Sequence, residues 1–248
     1  MAISVSLLRR WLKPLRHTPF HPQWFAFRGE ARTRAWVHEQ ARGRVLDIGC
    51  ADGWVRNALD PECEYVGLDY PVTTRTMYGT RPDVFADGAF LPFRDASFQC
   101  VTLLEVLEHV AHPDLVLREA QRVLAPGGTL LLSMPFLYPL HDAPHDYQRY
   151  TAPGLEFALH KAGFDCEPPV PRNGGFEAAA MLLAIASAGT IVSALRTRRW
   201  RLLLCPLLIM LIPCINCFGW ILSAVGPNDL MAAGFRTEAY KPGNSTHV

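Results

Sequence analysis

Short apolar runs punctuated by turn residues occupy residues 45–170. Val45–Ile48, Tyr65–Asp69, Val84–Ala86, Gln99–Leu104, Thr129–Met134 and Phe164–Val170 read as strands. Val45–Ile48 sets three apolar residues around Asp47, the pattern of a short strand buried on both faces of a parallel sheet. Helical stretches fall between the strands: Trp54–Leu59, Pro113–Leu124 and Pro153–Ala162, the last closed by Gly163. Proline near a helix start is pre-organised for the first turn. Glu30–Gln40 reads as a further helix ahead of the first strand. Strands alternating with helices predict an open α/β sheet. Beyond residue 176 the pattern changes. Ala178–Leu195 is eighteen residues without a charge and Leu202–Val225 is twenty-four more, each long enough to span a bilayer. Near the N-terminus, Leu8, Trp11, Leu12 and Leu15 share one helical face, with Arg9, Arg10, Lys13 and Arg16 on the others.

The stretch Arg44-Val45-Leu46-Asp47-Ile48-Gly49-Cys50-Ala51-Asp52-Gly53 joins the first strand to a glycine turn. A strand, a tight turn and a helix N-terminus form the usual ligand crevice of an open α/β sheet. The second glycine of a G-x-G-x-x-G dinucleotide fingerprint is missing here. Asp47 and Asp52 flank the turn instead. They would repel a pyrophosphate and suit a ligand carrying positive charge. S-adenosylmethionine (SAM) carries a sulfonium and an ammonium, plus one carboxylate for free backbone N–H groups. Asp47, Gly49 and Gly53 form D-x-G-x-x-x-G, which resembles motif I of the class I SAM-dependent methyltransferases, type 11-like members in particular.

Further motifs follow in the family's order. Asp69 ends the second strand twenty residues past Gly49, the spacing at which α/β nucleotide sites place a carboxylate on ribose hydroxyls. Ala86-Asp87-Gly88-Ala89-Phe90-Leu91-Pro92-Phe93 is similar to the family's adenine-contact segment, where the Asp accepts from the exocyclic amine. Arg122-Val123-Leu124-Ala125-Pro126-Gly127-Gly128 resembles the family's R-V-L-K-P-G-G, with Ala125 in place of Lys. The resemblance covers about residues 43–165. It implies a Rossmann-like, seven-stranded, mostly parallel α/β sheet with helices on both faces and a final antiparallel strand at Phe235–Pro242; the apolar helical hairpin inserted before that strand is read from the apolar runs and is the part that ordinary members lack. The implied cofactor is SAM. The implied cofactor residues are Asp47, Gly49, Cys50, Ala51, Gly53, Asp69, Tyr70, Asp87, Gly88, Ala89 and Glu105.

Glu105-Val106-Leu107-Glu108-His109 closes the fourth strand. Three polar groups at i, i+3 and i+4 share one face if a helix starts here. In many class I enzymes this stretch lines the methionine end of the pocket. In some ubiquinone-pathway and small-RNA O-methyltransferases a similar E-x-x-E-H, with a further His, binds a divalent cation. Glu105, Glu108 and His109 are thus metal candidates by resemblance, although no metal is assigned. The loop Pro135–Thr151 is dense in His, Asp, Arg and Tyr, and long ionisable loops at strand ends are usually functional. Its pattern H-x-x-P-x-D-x-x-R-Y-T recurs in methyltransferases of the same group. His141 or His145 could take a proton from a hydroxyl nucleophile, and Arg149 could hold a substrate phosphate or carboxylate. The alternative is that Asp146 and Arg149 pair and staple the loop. His109 completes the candidate catalytic set.

Net charge is +1, so bulk charge selects no partner, and nucleic acid is not expected. Seven scattered cysteines and the absence of a recognisable cleavable leader favour a reducing, cytosolic face. Cys214-Ile215-Asn216-Cys217 lies in an apolar run and reads as buried thiols rather than zinc ligands. Arg196, Arg198, Arg199 and Arg201 separate the two apolar runs. A spanning hairpin would put these arginines outside, against the positive-inside rule. A re-entrant or interfacial hairpin keeps them near lipid phosphates. The alternative is a soluble, packed helical subdomain. The expected organisation is residues 1–42 as basic amphipathic helices, 43–175 as the SAM-binding core, 176–226 as the apolar insertion and 227–248 as the final strand and tail. The expected function is methyl transfer to an amphiphilic or lipid-linked small molecule at the cytoplasmic face of a membrane. A SAM-binding membrane scaffold without turnover is the alternative of a different class.

Overall fold

The computed structural model describes residues 12–73, 80–197 and 200–243. The Leu8–Leu15 helix lies mostly outside them; within them, Lys13–Leu15 forms one 3-10 turn. The strands are β1 (Arg44–Ile48), β2 (Glu64–Asp69), β3 (Val84–Phe85), β4 (Phe98–Leu104), β5 (Leu124–Pro135), β6 (Asp165–Cys166), β7 (Val170–Gly174) and β8 (Ala232–Tyr240). The helices are α1 (Trp24–Gln40), α2 (Pro113–Val123), α3 (Ala152–Lys161), α4 (Gly175–Thr197) and α5 (Cys205–Val225). The eight-stranded sheet runs β3-β2-β1-β4-β5-β8-β6, with β7 paired to β8 off this path. β1 pairs in parallel with β2 and β4, as do β2 with β3 and β4 with β5. β8 is antiparallel to both β5 and β6.

Contacts group Thr33–Phe136, Leu140–Val170 and Gly234–Val248 as one compact unit, and Met1–Arg32, Leu137–Pro139 and Pro171–Ala233 as another. In the first unit, Leu130, Leu131 and Leu132 are all fully buried. Consecutive burial means that β5 is covered on both faces. On α2, Val116, Leu117, Ala120 and Val123 are buried, while Asp114 and Arg118 pair at 2.5 Å on the exposed face. α3 starts where Thr151 accepts from the Gly154 N–H at 3.1 Å, an N-cap that satisfies one orphan donor.

Four elements differ from the sequence expectation. Trp54–Leu59 forms turns rather than a helix. Only six residues separate Gly53 from Asp60-Pro61, too few to offset the cost of helix nucleation. Tertiary packing uses the segment anyway, since Trp54, Ala58 and Leu59 lie against the buried Trp36, Val37 and Val55. The expected strand at Phe164–Val170 is split into β6 and β7, because Pro168 and Pro169 have no N–H for a ladder. α1 begins at Trp24 rather than Glu30, drawing Trp24 and Phe25 into a buried cluster. β5 begins at Leu124, five residues early: Lys241 accepts from Gly127 at 2.9 Å and donates to Gly128 at 3.0 Å, so the glycine stretch is paired instead of forming a loop.

In the second unit, α4 and α5 are both long and apolar enough to cross a membrane. Gly219 lets them approach closely, since a Cβ there would lie 2.4 Å from that of Ala180. α5 buries its amide and exposes its hydrocarbon, and Cys214 and Cys217, expected as buried thiols, are exposed with it. Asn216 is fully buried and donates to the carbonyls of Pro19 at 2.7 Å and His21 at 3.0 Å. Leu207, Met210, Phe218 and Val225 face outward, with Leu207 65% and Val225 79% exposed.

The first unit's core rests on β5. Leu131→Ala should destabilise the protein by about 2–5 kcal/mol, the transfer and cavity cost of a buried Leu. Denaturant unfolding followed by near-UV circular dichroism measures it, and a change below about 0.5 kcal/mol would show that the strand is not packed on both faces.

Candidate functional site

The carboxyl ends of β1, β2, β3 and β4 meet around a cavity of about 430 Å³, where open α/β sheets bind ligands. The β1 turn is its floor. Gly49 has φ +75°, and a Cβ there would strike Val106 Cγ2 at 2.5 Å. Its N–H and that of Cys50 both donate to the Leu68 carbonyl, at 2.8 and 3.1 Å. Gly53 has φ +71° in open space, so its requirement is conformational alone. Between them Ala51 is held at φ +46°, and its N–H donates to Asp69 Oδ2 at 2.9 Å. The acid closing β2 therefore also fixes the turn after β1. The other oxygen of Asp69 accepts from the Tyr70 N–H at 2.7 Å.

Asp47 lies beneath this turn and does not line the cavity. It is buried, accepting from Tyr65 at 2.8 Å and Thr102 at 2.6 Å. Burial pushes its carboxyl up to about 6, and the two hydroxyl donors oppose that rise. Burial likewise pushes the Cys50 thiol up to about 12, so it is no nucleophile. At the end of β3, Asp87 Oδ1 accepts from the Ala89 N–H at 2.9 Å, an Asx turn presenting Asp87, Gly88 and Ala89 to the cavity.

After β4 the structure departs from a shared helical face. Leu107–His109 is a 3-10 turn, and Glu105 precedes it with φ +59°. Glu105 lines the cavity and accepts from Ser133 at 2.8 Å, whereas Glu108 is fully buried. Both Glu108 oxygens are without a hydrogen-bond partner. Burial, reinforced by the negative charge of Glu105, pushes the Glu108 carboxyl up to about 9. His109 Nε2 is 3.7 Å and His141 Nε2 3.9 Å from Glu108 Oε1. The donors that converge, within 4.8 Å of one another, are thus Glu108, His109 and His141, with Glu105 outside the group. Two imidazoles and one carboxylate suit a transition ion better than Mg²⁺.

In the loop, Arg149 forks onto Asp146, which lies well below the ordinary carboxylate range because of that guanidinium. His141 donates its N–H to Asp146 at 2.9 Å. Neither His141 nor Arg149 lines the cavity. His145 does, with Nδ1 3.1 Å from the Tyr147 hydroxyl, and so does His109, whose Nδ1–H donates to the His145 carbonyl at 2.6 Å. Of the expected cofactor residues, Gly49, Asp69, Tyr70, Asp87, Gly88, Ala89 and Glu105 line the cavity. Asp47, Cys50, Ala51 and Gly53 shape the turn from behind. Asp142, Tyr147 and Val106 also line it and were not among the expected residues. The density of ionisable groups in the loop was the available signal for the first two.

Two outcomes follow from the turn. Gly49→Ala should abolish ligand binding in the cavity, as read by calorimetry, because β1 and the Val106 turn must separate; unaltered binding would mean that the turn is slack. Asp47 holds its proton more tightly when folded, at about 6 against an ordinary 3.8. Its contribution to stability is therefore full below about pH 4 and is lost as pH rises to about 6. Asp47→Asn should remove that part of the pH dependence in urea titrations, and an unchanged profile would contradict the burial argument.

The chain's likenesses agree with this geometry. The family described as "Methyltransferase domain" matches residues 23–168. A Mycolicibacterium smegmatis protein named "probable S-adenosylmethionine-dependent methyltransferase" is 32% identical over 184 residues, 69% of this chain and 70% of that one. A ubiquinone biosynthesis O-methyltransferase of Xanthomonas oryzae pv. oryzae is 32% identical over 103 residues, 38% of this chain and 43% of its own. Among solved structures, the cyclase SpnF superposes with a TM-score of 0.52 at 20% identity, over 96% of this chain and 95% of that one, a likeness of fold alone. With D-x-G-x-x-x-G on the β1 turn, an acid at the end of β2 and these relatives, the chain belongs to the class I SAM-dependent methyltransferases, enzymes that use SAM as methyl donor.

Proposed function

We propose that this methyltransferase acts on an amphiphilic or lipid-linked small molecule at the cytoplasmic face of a membrane, with α4 and α5 lying in or on the bilayer without crossing it. The observation that carries this reading is the outward apolar face of α5: Leu207, Met210, Phe218, Ile221 and Val225 are all more than half exposed. Soluble monomers rarely leave so continuous a patch in water. Burying it in lipid gains roughly 25 cal/mol per Å². The named acceptor pathway of the Xanthomonas relative, ubiquinone biosynthesis, is chemically of this kind.

Within the cavity, Asp69 suits the ribose hydroxyls, and Asp87 with the Gly88 N–H suits adenine. Glu105 and the Val106 turn suit the methionine end, whose ammonium a carboxylate attracts. SAM supplies the electrophilic methyl; positioning against it provides most of the rate. His145 is the base candidate that faces the cavity, apt for a hydroxyl acceptor. His141 and Arg149 are taken up with Asp146, and their role in this reading is to hold the loop.

Incubating the protein with methyl-labelled SAM and membrane lipid extract should label a lipid-soluble product. His145→Ala should then lose roughly 10²–10⁴-fold in rate while retaining SAM affinity; an equal loss in His141→Ala and none in His145→Ala would reverse the assignment. For the membrane placement, Arg198→Cys in a background without native cysteines should resist an impermeant thiol reagent in intact cells, with the protein extracted only by detergent. Labelling from outside would show a spanning hairpin. Full recovery in the soluble fraction would show a packed subdomain.

A further inference from the structure

We propose that Gln148 is a positioning residue coupling the methyl-donor cavity to the loop His141–Tyr150, so that cofactor occupancy orders the loop meant to hold the acceptor. The inference rests on the cavity being the donor pocket. Its first support is a shared wall: Asp142, His145 and Tyr147 line the same cavity as Gly49, Asp69 and Asp87. Its second is how the loop is fastened. Tyr147 N–H donates to the Glu108 carbonyl at 2.8 Å, and His109 Nδ1–H donates to that of His145 at 2.6 Å. Gln148 Nε2 donates to two carbonyls of one turn, Leu107 at 2.6 Å and Val110 at 3.1 Å. All these bonds end on residues 107–110 or leave from them, and the adjoining Glu105, Val106, His109 and Val110 are cavity wall.

The turn has one hydrogen bond of its own, from the His109 N–H to the Val106 carbonyl at 2.9 Å, and at its entry the Glu105 N–H donates to the Ser133 carbonyl at 2.9 Å; the bonds from the loop add to these. Glu105 stands at φ +59°, a conformation that non-glycine residues adopt only when their surroundings impose it. Gln148 spans the turn from outside the cavity, tying its first and last carbonyls to one amide. A ligand pressing on Val106 or Val110 therefore acts on carbonyls that Gln148 clasps, and the coupling is reciprocal: whatever fixes the loop also fixes the wall against which the cofactor packs. Glutamate at this position would have the same shape, with two acceptors facing two carbonyls and no donor.

Hydrogen–deuterium exchange on the full chain, with and without S-adenosylhomocysteine, tests this without an acceptor, and calorimetry of the same ligand runs beside it. In the native protein the ligand should slow exchange across 141–150 about tenfold or more, as well as in the turn at 49–53. In Gln148→Glu and Gln148→Ala the ligand should bind about tenfold more weakly, and protection should survive at 49–53 but vanish at 141–150. A merely structural glutamine would change exchange equally with and without ligand. Binding that protects 49–53 and leaves 141–150 unchanged in the native protein would overturn the coupling while leaving the donor pocket standing, and this arm needs no variant to fold. Failure of the native protein to bind the ligand would overturn the pocket assignment and the coupling together.

Discussion

No methyl group fits at residue 49. The β1 turn passes so close to Val106 that an added Cβ would sit 2.5 Å from it, and the backbone there is left-handed. That close approach brings the ends of β1 and β4 together, and the rest of the site follows from it. Gly49 and Cys50 share the Leu68 carbonyl, which ties the turn to β2. Asp69 then reaches back to the Ala51 N–H and closes the connection from the other side. Three parallel strands are thus locked at their carboxyl ends by two backbone hydrogen bonds, one carboxylate and one close side-chain contact, and the cavity is the space left above the lock.

Charge explains which ligand that space favours. Asp69, Asp87 and Glu105 line it, and Asp47 lies directly below with its carboxyl lifted to about 6 by burial. A pyrophosphate would be repelled by these carboxylates, whereas a sulfonium and an ammonium would be attracted. Fold alone does not decide the reaction, since a protein named as a cyclase, SpnF, shares the architecture.

Most of the sheet was legible because its cues are local. Val45–Ile48, Asp69 and the glycine turn declare themselves by run length and spacing, and α4 and α5 by uninterrupted hydrocarbon. What the sequence hid depended on distant partners. Trp54–Leu59 had helical composition, but Pro61 cut it short and packing against Trp36 held it as turns. The expected strand began only at Thr129, because the pairing of Gly127 and Gly128 needs Lys241, more than a hundred residues away. Glu105 and Glu108 looked like neighbours on a helix. The positive φ of Glu105 sends one to the cavity and the other into the core, so the converging donors are Glu108, His109 and His141. The role of Gln148 carried no sequence signal, since a lone glutamine acquires meaning only from the carbonyls it meets.

The β1 turn and Asp69 are the proposed means by which the cavity selects a cationic adenosyl donor. Calorimetric titration of the purified full chain with SAM and, separately, with NAD tests it most directly. The expected result is one site for SAM, no measurable affinity for NAD, and a loss of about 1–3 kcal/mol of SAM binding in Asp69→Ala, the cost of leaving buried polar groups unpaired. Tight NAD binding without SAM binding would contradict it.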